Sequence, residues 1–197
     1  IRVITNQSSG KTGVLLASEL ISSGAKVTLV YGPGIEKPPK GAKIIKISTS
    51  KEMFDVVKKE MNKEFDIVIM AAAVADYTPE NTSKNKIKTM KNKIKISLKK
   101  TPKIIDQIKK YQKNVFLVGF KAETNLSKKE LITLAKKKMN ESSADMIVAN
   151  DIGSIRYRKN PESNEVLIIN SHKVISSGWI KKEKIAKLIR KEIEQRL

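Results

Sequence analysis

The chain has 197 residues, a formal charge of +20 and no cysteine. That length suits one domain burying roughly 70% of its unfolded surface, and the lack of cysteine excludes a disulfide framework, a thiolate metal site and a cysteine nucleophile. No run of about 18 apolar residues occurs and the opening Ile-Arg-Val-Ile-Thr does not resemble a signal peptide, so a soluble, cytoplasmic protein with no membrane contact is the expectation.

Ile1–Thr5 reads as a strand. Gly10–Ser23 puts Val14, Leu15, Ala17, Leu20 and Ile21 on one helical face, and Gly24 ends that helix. Lys26–Tyr31 (KVTLVY) and Ile44–Ile47 are short strands. Thr49-Ser-Lys-Glu52 is a capping box opening a helix from Ser50 to Asn62. Asp66–Met70 (DIVIM) reads as a buried strand. Lys84–Leu98 alternates apolar and basic residues and reads as a hairpin or flap. Val115–Gly119 is the next strand, and a second capping box, Ser127 to Glu130, opens a helix reaching Glu141. Asp145–Ala149 is a strand. Glu165–Ile175 carries two β runs around Asn170–His172, an antiparallel hairpin at the sheet edge. The last helix, Lys181–Leu197, has Ile185, Leu188, Ile189 and Ile193 on one face. Strand and helix alternate, which predicts an α/β, Rossmann-like fold: a mostly parallel sheet with helices on both faces, plus a basic flap and an edge hairpin, in one domain over residues 1–197.

The charge raises the question of nucleic acid. Base-reading surfaces favour arginine and stacked aromatics. Here the cations are mostly lysines scattered along the whole chain and aromatics are 5% of residues. Nucleic acid is therefore not the expected partner; a polyanionic small molecule such as a nucleoside triphosphate would profit from the same charge.

In an open parallel sheet, ligands bind beyond the carboxyl ends of the strands. After Ile1–Ile4 comes TNQSSGKTG; after DIVIM comes AAAVADYTP; after VFLV comes GFKAET; after DMIVA comes Asn150–Asp151. All are small or polar, and all face one edge in such a sheet. The Gly-Lys-Thr of the first stretch is the tail of a P-loop, but the position five before Gly10 is Thr5, where a P-loop needs glycine. The dinucleotide fingerprint is also absent, and Tyr31-Gly32 stand where a ribose-binding acid would end the second strand. What survives is a turn entering a helix N-terminus, which favours a phosphate or carboxylate; Ser8 or Ser9 could equally be a plain N-cap.

Taken together, TNQSSGKTG, VTLVYGP, AAAVADYTP with a later KIK, TPKII, VGFKAET and IVAND, in that order, resemble phosphopantothenate–cysteine ligase of coenzyme A synthesis, over essentially the whole chain. In many bacteria and archaea this ligase is the C-terminal half of a fusion with a flavin-dependent phosphopantothenoylcysteine decarboxylase. The resemblance implies that the carboxylate of 4′-phosphopantothenate attacks the α-phosphate of CTP. The amine of L-cysteine then displaces CMP from the acyl-cytidylate. CTP is a co-substrate accompanied by Mg²⁺, whose ligands the resemblance does not name. No flavin is implied for this half, and a homodimer is. Eukaryotic relatives can use ATP.

Residue by residue, the resemblance implies that Asn6 holds the acyl-cytidylate and that Ser8, Ser9 and Gly10 form the substrate-binding turn. Ala72 and Ala73 let the backbone approach the substrate. Asp76, Pro102, Lys103, Ile104, Ile105, Phe120 and Lys138 line or contact the nucleotide, and Lys86 belongs to a flap that closes over the site. This chain departs from the pattern in several places. The flap reads Lys86-Ile-Lys-Thr89, without its fourth lysine; Lys103 stands where relatives often have an acid; and Ser142 stands where a second helix lysine is expected. Relatives also begin with a further strand before the block that opens this chain, so a sheet lacking that strand is expected. The alternative to the ligase is a non-catalytic nucleotide-binding or basic nucleic-acid-binding protein of the same fold.

Overall fold

The computed structural model describes residues 3–83, 85, 87 and 93–196. In chain order its elements are helix α1 (Lys11–Ser22), strands β1 (Thr28–Tyr31) and β2 (Lys43–Lys46), helix α2 (Ser50–Glu60), and strands β3 (Ile67–Met70), β4 (Tyr77–Pro79) and β5 (Leu98–Lys100). There follow helix α3 (Ile105–Tyr111), strand β6 (Phe116–Glu123), helix α4 (Lys128–Ser142), strand β7 (Met146–Asp151), helix α5 (Ile155–Lys159), strands β8 (Ser163–Asn170) and β9 (Val174–Lys181), and helix α6 (Lys182–Glu194).

The main sheet has the order β3-β6-β7-β8-β9. β3, β6 and β7 are parallel, and β8 and β9 close the far edge as an antiparallel hairpin. Side chains alternate across a strand, and this sheet uses both faces. On one face Leu117, Ile147 and Ile169 pack against Met53 and Val57 of α2, Ile108 of α3, and Leu131 and Ala135 of α4. On the other, Val118, Val148 and Ile168 pack against Leu16 of α1 and Ile185, Ile189 and Ile193 of α6. Ala135 apart, each of these core side chains is worth about 1.5–3 kcal/mol of burial. The α/β class read from the sequence is the observed one. Sequence shows no helix in TPKIIDQIKKY, yet α3 forms there and lies close on the sheet. It can do so because residue 119 is glycine: a Cβ there would stand 2.7 Å from Ile147 Cδ1 and 2.8 Å from Ile105 Cδ1.

The caps behave as their residues dictate. Ser127 and Glu130 form the full reciprocal capping box of α4. At α2 only half the box forms: the Glu52 amide donates to Thr49 Oγ1 at 3.1 Å, while the Glu52 carboxylate accepts from the Ser48 amide at 2.8 Å instead of from Thr49.

One strand expectation fails. Residues 3–5 of the Ile1–Thr5 stretch are not a strand; Val3 is 75% exposed and Ile4 51%. β-propensity is realised only where a partner edge and a buried face exist, and this segment runs over the strand ends. β1 and β2 form a separate parallel pair, and among the described residues β1 has no hydrogen-bonded contact with β3. DIVIM, expected to be buried, is accordingly only half-buried. The paired strands near the expected flap are β4 and β5; Lys84, Lys86 and residues 88–92 between them lie outside the described residues.

The β1–β2 pair is only four residues long in each strand. Local stability follows buried contact and paired backbone. Amides of Thr28–Tyr31 are therefore expected to exchange with solvent well before those of Leu117, Val118, Ile147 and Ile168. Hydrogen-exchange mass spectrometry checks this; equal protection would place β1 and β2 in the same cooperative unit as the main sheet.

Candidate active site

The TNQSSGKTG stretch enters α1 through Gly10, whose φ of +82° is one that L side chains rarely adopt. A Cβ at this position would meet the Tyr31 ring at 3.0 Å. Three short bonds wrap the loop after β1 around this turn: the amides of Ile35 and Glu36 donate to the Ser9 carbonyl at 3.0 and 3.2 Å, and Tyr31 Oη donates to the Glu36 carbonyl at 2.6 Å. Gly34 is forced by that closure, since a Cβ there would lie 2.8 Å from the Ser9 carbonyl oxygen. Ser8 Oγ accepts from the Gly10 amide at 3.3 Å and Ser9 Oγ from the Lys11 amide at 3.2 Å, which shapes the turn, while the N-cap residue of α1 is Gly10 and brings no side-chain cap.

Lys11 is the lysine of the Gly-Lys-Thr triplet. Its ammonium is bonded to Glu162 and lies 3.9 Å from Glu183. The bond to Glu162 raises the lysine above its ordinary value, and the same bond lowers the Glu162 carboxyl. A P-loop lysine must be free to meet phosphate, so this pairing agrees with the sequence in setting a Walker site aside.

On the other side of the cleft the chain leaves β3 through Ala71–Ala75. Asn6 Nδ2 donates to the Val74 carbonyl at 3.3 Å, which ties the entry segment to this loop. Asn6, Ser8, Ser9, Gly10, Ala72 and Ala73 all line one cavity of about 3140 Å³. That exceeds the usual 300–1,000 Å³ of a small-ligand pocket. The excess is the slot between β1 and β3, whose residues line the same cavity, with Leu16 and Ala17 of α1 on one side and Met53 and Val57 of α2 on the other. Ile152, Tyr157, Glu162 and Lys182 border its mouth.

The residues expected at the nucleotide do not line this cavity. Asp76 sits at the base of the β4–β5 arm, where its carbonyl accepts from the Thr101 amide at 2.8 Å and its carboxylate pairs with Lys103. Pro102 and Lys103 are exposed. Ile104 is 4% exposed and part of the core, so what it can offer a ligand is its backbone. Ile105 is half-buried under Gly119, and Phe120 is half-buried against the α1–α6 side of the sheet. Lys138 Nζ lies 2.9 Å from Asp106 Oδ1, its side chain 19% exposed. Lys86 lies outside the described residues. Among the described residues no three His, Cys, Asp or Glu side chains gather as a metal cluster. The exposed Asp76 carboxylate is the kind of ligand Mg²⁺ takes alongside substrate phosphates.

Sequence reasoning missed Tyr31, Gly34 and Glu162. The Gly-Pro-Gly after β1 was a signal of a tight loop; nothing local marks Glu162, which is 151 residues from its partner Lys11.

The whole chain, residues 1–197, matches the model of the DNA/pantothenate metabolism flavoprotein C-terminal domain. The chain belongs to this family. It is 38% identical over 198 residues to the coenzyme A biosynthesis bifunctional protein CoaBC of Thermococcus kodakarensis, covering 100% of this chain and 48% of that protein. It is 40% identical to that of Borreliella burgdorferi, covering 97% and 47%. The chain thus spans about half the length of the curated relatives it matches. A crystal structure of a DNA/pantothenate metabolism flavoprotein from Streptococcus pneumoniae superposes with a TM-score of 0.86 at 26% identity, covering all of this chain and 93% of that one. The C-terminal domain of a CoaBC protein superposes with a TM-score of 0.81 at 31% identity, covering 100% of this chain and 87% of that domain. The ordered blocks of the sequence therefore reflect family membership. Among the described residues no helix is long and apolar enough to cross a membrane.

The Lys11–Glu162 pair gives a signed pH dependence. A carboxyl lowered in the folded state stabilises above its unfolded value, and the effect is lost as pH falls through the folded value. Glu162→Gln is therefore expected to lower the melting temperature at pH 7, and the difference is expected to shrink at acid pH as the folded carboxyl takes up its proton. Thermal denaturation of both proteins at pH 7 and at acid pH checks this. A difference that persists at low pH would mean the side chain acts by packing.

Proposed function

We propose that this chain joins 4′-phosphopantothenate to L-cysteine through an acyl-cytidylate formed from CTP. The observation that carries the reading is the position of Asn6. Its amide stands at the lip of the cleft, bonded to Val74, between the α1 turn on one side and Ala72–Ala73 on the other. An amide there can exchange the Val74 carbonyl for the carbonyl oxygen of an activated acid. The N-terminus of α1 favours the anionic end of the substrate, and Ala72 and Ala73 leave room for the substrate to approach the backbone.

In the first step a carboxylate oxygen of the acid bonds to the α-phosphorus and pyrophosphate leaves. In the second the cysteine nitrogen bonds to the acyl carbon, CMP leaves and the amine gives up a proton. Neither step needs an enzyme nucleophile, which suits a chain without cysteine; both need positioning and cations facing developing charge. Mg²⁺ carried by the triphosphate, with Asp76 as its protein ligand, would supply charge neutralisation when bound. Lys86 and Lys138 are assigned to the phosphates, and Phe120 with the Pro102–Ile105 segment to the nucleoside. The relatives' bifunctional character supports a decarboxylase partner, fused or separate. The exposed Ile94, Ile96 and Leu98 beside the arm support a homodimer made there. The leading alternative, a nucleic-acid-binding protein, gains little support from a cleft whose Lys11 is already paired with an acid.

The test is product formation from 4′-phosphopantothenate, CTP, Mg²⁺ and cysteine, followed as pyrophosphate and as amide. Wild type is expected to need all components. Asn6→Ala is expected to lose about 100-fold or more in amide formation, the scale of a lost oxyanion-type donor, with a smaller loss in pyrophosphate release. Amide formation by Asn6→Ala at the wild-type rate would remove Asn6 from the mechanism, and absence of any amide from wild type would sink the ligase reading.

A further inference from the structure

Two lysines, Lys11 and Lys182, line the same cavity as Asn6, Ser8 and Ser9. Their electrostatic states are opposite. Lys11 is bonded to Glu162 and has Glu183 3.9 Å away. Lys182 is half-buried, and among the described residues its ammonium has no carboxylate within ion-pair distance. Covering a charge without a partner costs free energy, so an unpaired cation facing a cavity calls for an explanation.

Helix stability does not supply one. Lys182 is the first residue of α6, where a cation opposes the helix dipole and an anion is favoured. Its backbone is pinned at the mouth, because its amide donates to the Glu162 carbonyl at 3.0 Å. The Glu162 carboxylate is already taken by Lys11; that bond, with a smaller contribution from the charge of Lys182, holds it below the ordinary carboxylate value.

The ammonium of Lys182 instead meets Tyr157, donating to its Oη at 3.5 Å and standing 5.5 Å from the ring centroid. Tyr157 is fixed on α5, where its amide donates to Ser154 Oγ at 3.2 Å. The hydroxyl accepts in this contact, so its own proton is left to give, and among the described residues it has no acceptor. An ammonium and a phenol thus stand together at the mouth of the cleft, both with donor capacity unspent. That pair suits a terminal phosphate, which offers several charged oxygens to donors arriving from different sides. The acid substrate has two anionic ends. Its carboxylate must reach Asn6 to react, which leaves the phosphate to be held elsewhere along the cavity.

Resting on the ligase reading above, we propose that Lys182 and Tyr157 bind the phosphate of the acid substrate, and that Lys182 is the residue by which this chain selects a phosphorylated acid over its unphosphorylated counterpart. The ammonium supplies the charge and the hydroxyl a second, directional donor. Lys11, committed to Glu162, takes no part.

The experiment is calorimetric titration of the full chain at low salt with 4′-phosphopantothenate and with pantothenate. Wild type, Lys182→Ala, Lys182→Arg, Tyr157→Phe and Lys184→Ala are compared; Lys184 is an exposed lysine of the same helix and controls for loss of one charge. Lys182→Ala is expected to weaken 4′-phosphopantothenate about tenfold and pantothenate less than about twofold, since the lost contact is a charge-assisted bond to phosphate. Lys182→Arg, which keeps the charge, is expected to stay within about threefold of wild type. Tyr157→Phe keeps the ring and loses one donor, and is expected to weaken 4′-phosphopantothenate about threefold. Lys184→Ala is expected to leave both ligands unchanged.

A Lys182→Ala loss equal for the two acids, or no greater than that of Lys184→Ala, would overturn the assignment. Wild-type affinity in Tyr157→Phe would strike Tyr157 from the subsite. If 4′-phosphopantothenate binds with the expected pattern but wild type forms no amide, the ligase reading fails and the phosphate subsite stands. If amide forms and Lys182→Ala behaves as Lys184→Ala, the reverse holds. Failure of wild type to bind 4′-phosphopantothenate would overturn both.

Discussion

The parallel pairing of β6 with β3 on one side and β7 on the other is the interaction from which the rest of the structure follows. Val118 of β6 is opposite Ile69 of β3 and Met146 of β7, so three strands run the same way and end at one edge. That edge is where a parallel sheet leaves its polar loops free. Ala71–Ala75 and the end of β7 at Asn150–Asp151 emerge there, and Asn6 is tethered to the first by the Val74 carbonyl. Fix the register of β6 and the loops can only meet at one edge. Gly119 adds a second constraint on the same strand. Its missing side chain lets α3 sit against the sheet, which sets where Pro102–Ile105 leave the arm.

The break between β1 and β3 gives the site its other boundary. Two parallel edges face a common cavity, with α1 covering one side and α2 the other. With a ladder of only four residue pairs between them, β1 and β2 rely on the helices that pack beside them. α1 is anchored through Leu16 to the α6 side of the core, and α2 through Met53 and Val57 to the opposite side. The turn at Gly10 therefore hangs from a helix that is firmly packed, while its covering loop at Pro33–Glu36 hangs from a strand that is not.

Much of the fold is legible in the sequence because its signals are local. Ser127 and Glu130 announce α4, Gly24 ends α1, and β-branched runs flanked by polar loops mark β1, β3 and β7. The failures have a common physical origin in partners distant along the chain. Val3-Ile4-Thr5 has strand composition, but a strand also needs an edge to join. α3 is seven residues long and its apolar residues read as a lining segment; it is stabilised by packing on Gly119, which no local pattern announces. In the site, small residues at strand ends were readable from the general rule for parallel sheets. The closure of Tyr31 and Gly34 over Ser9, and the capture of Lys11 by Glu162, depend on contacts that only the folded chain brings together.

The charge of the chain is organised more finely than its total of +20 suggests. Three of its lysines are held by carboxylates: Lys11 by Glu162, Lys103 by Asp76 and Lys138 by Asp106. The pairs are graded by exposure. The carboxylate of Asp106 is half-covered and Lys138 is mostly covered, so separating them requires re-solvating both groups, whereas Asp76 and Lys103 remain largely in water throughout. A surface of unpaired lysines would attract any polyanion with little discrimination. Lysines held by acids of differing accessibility instead require any incoming anion to outcompete a carboxylate first.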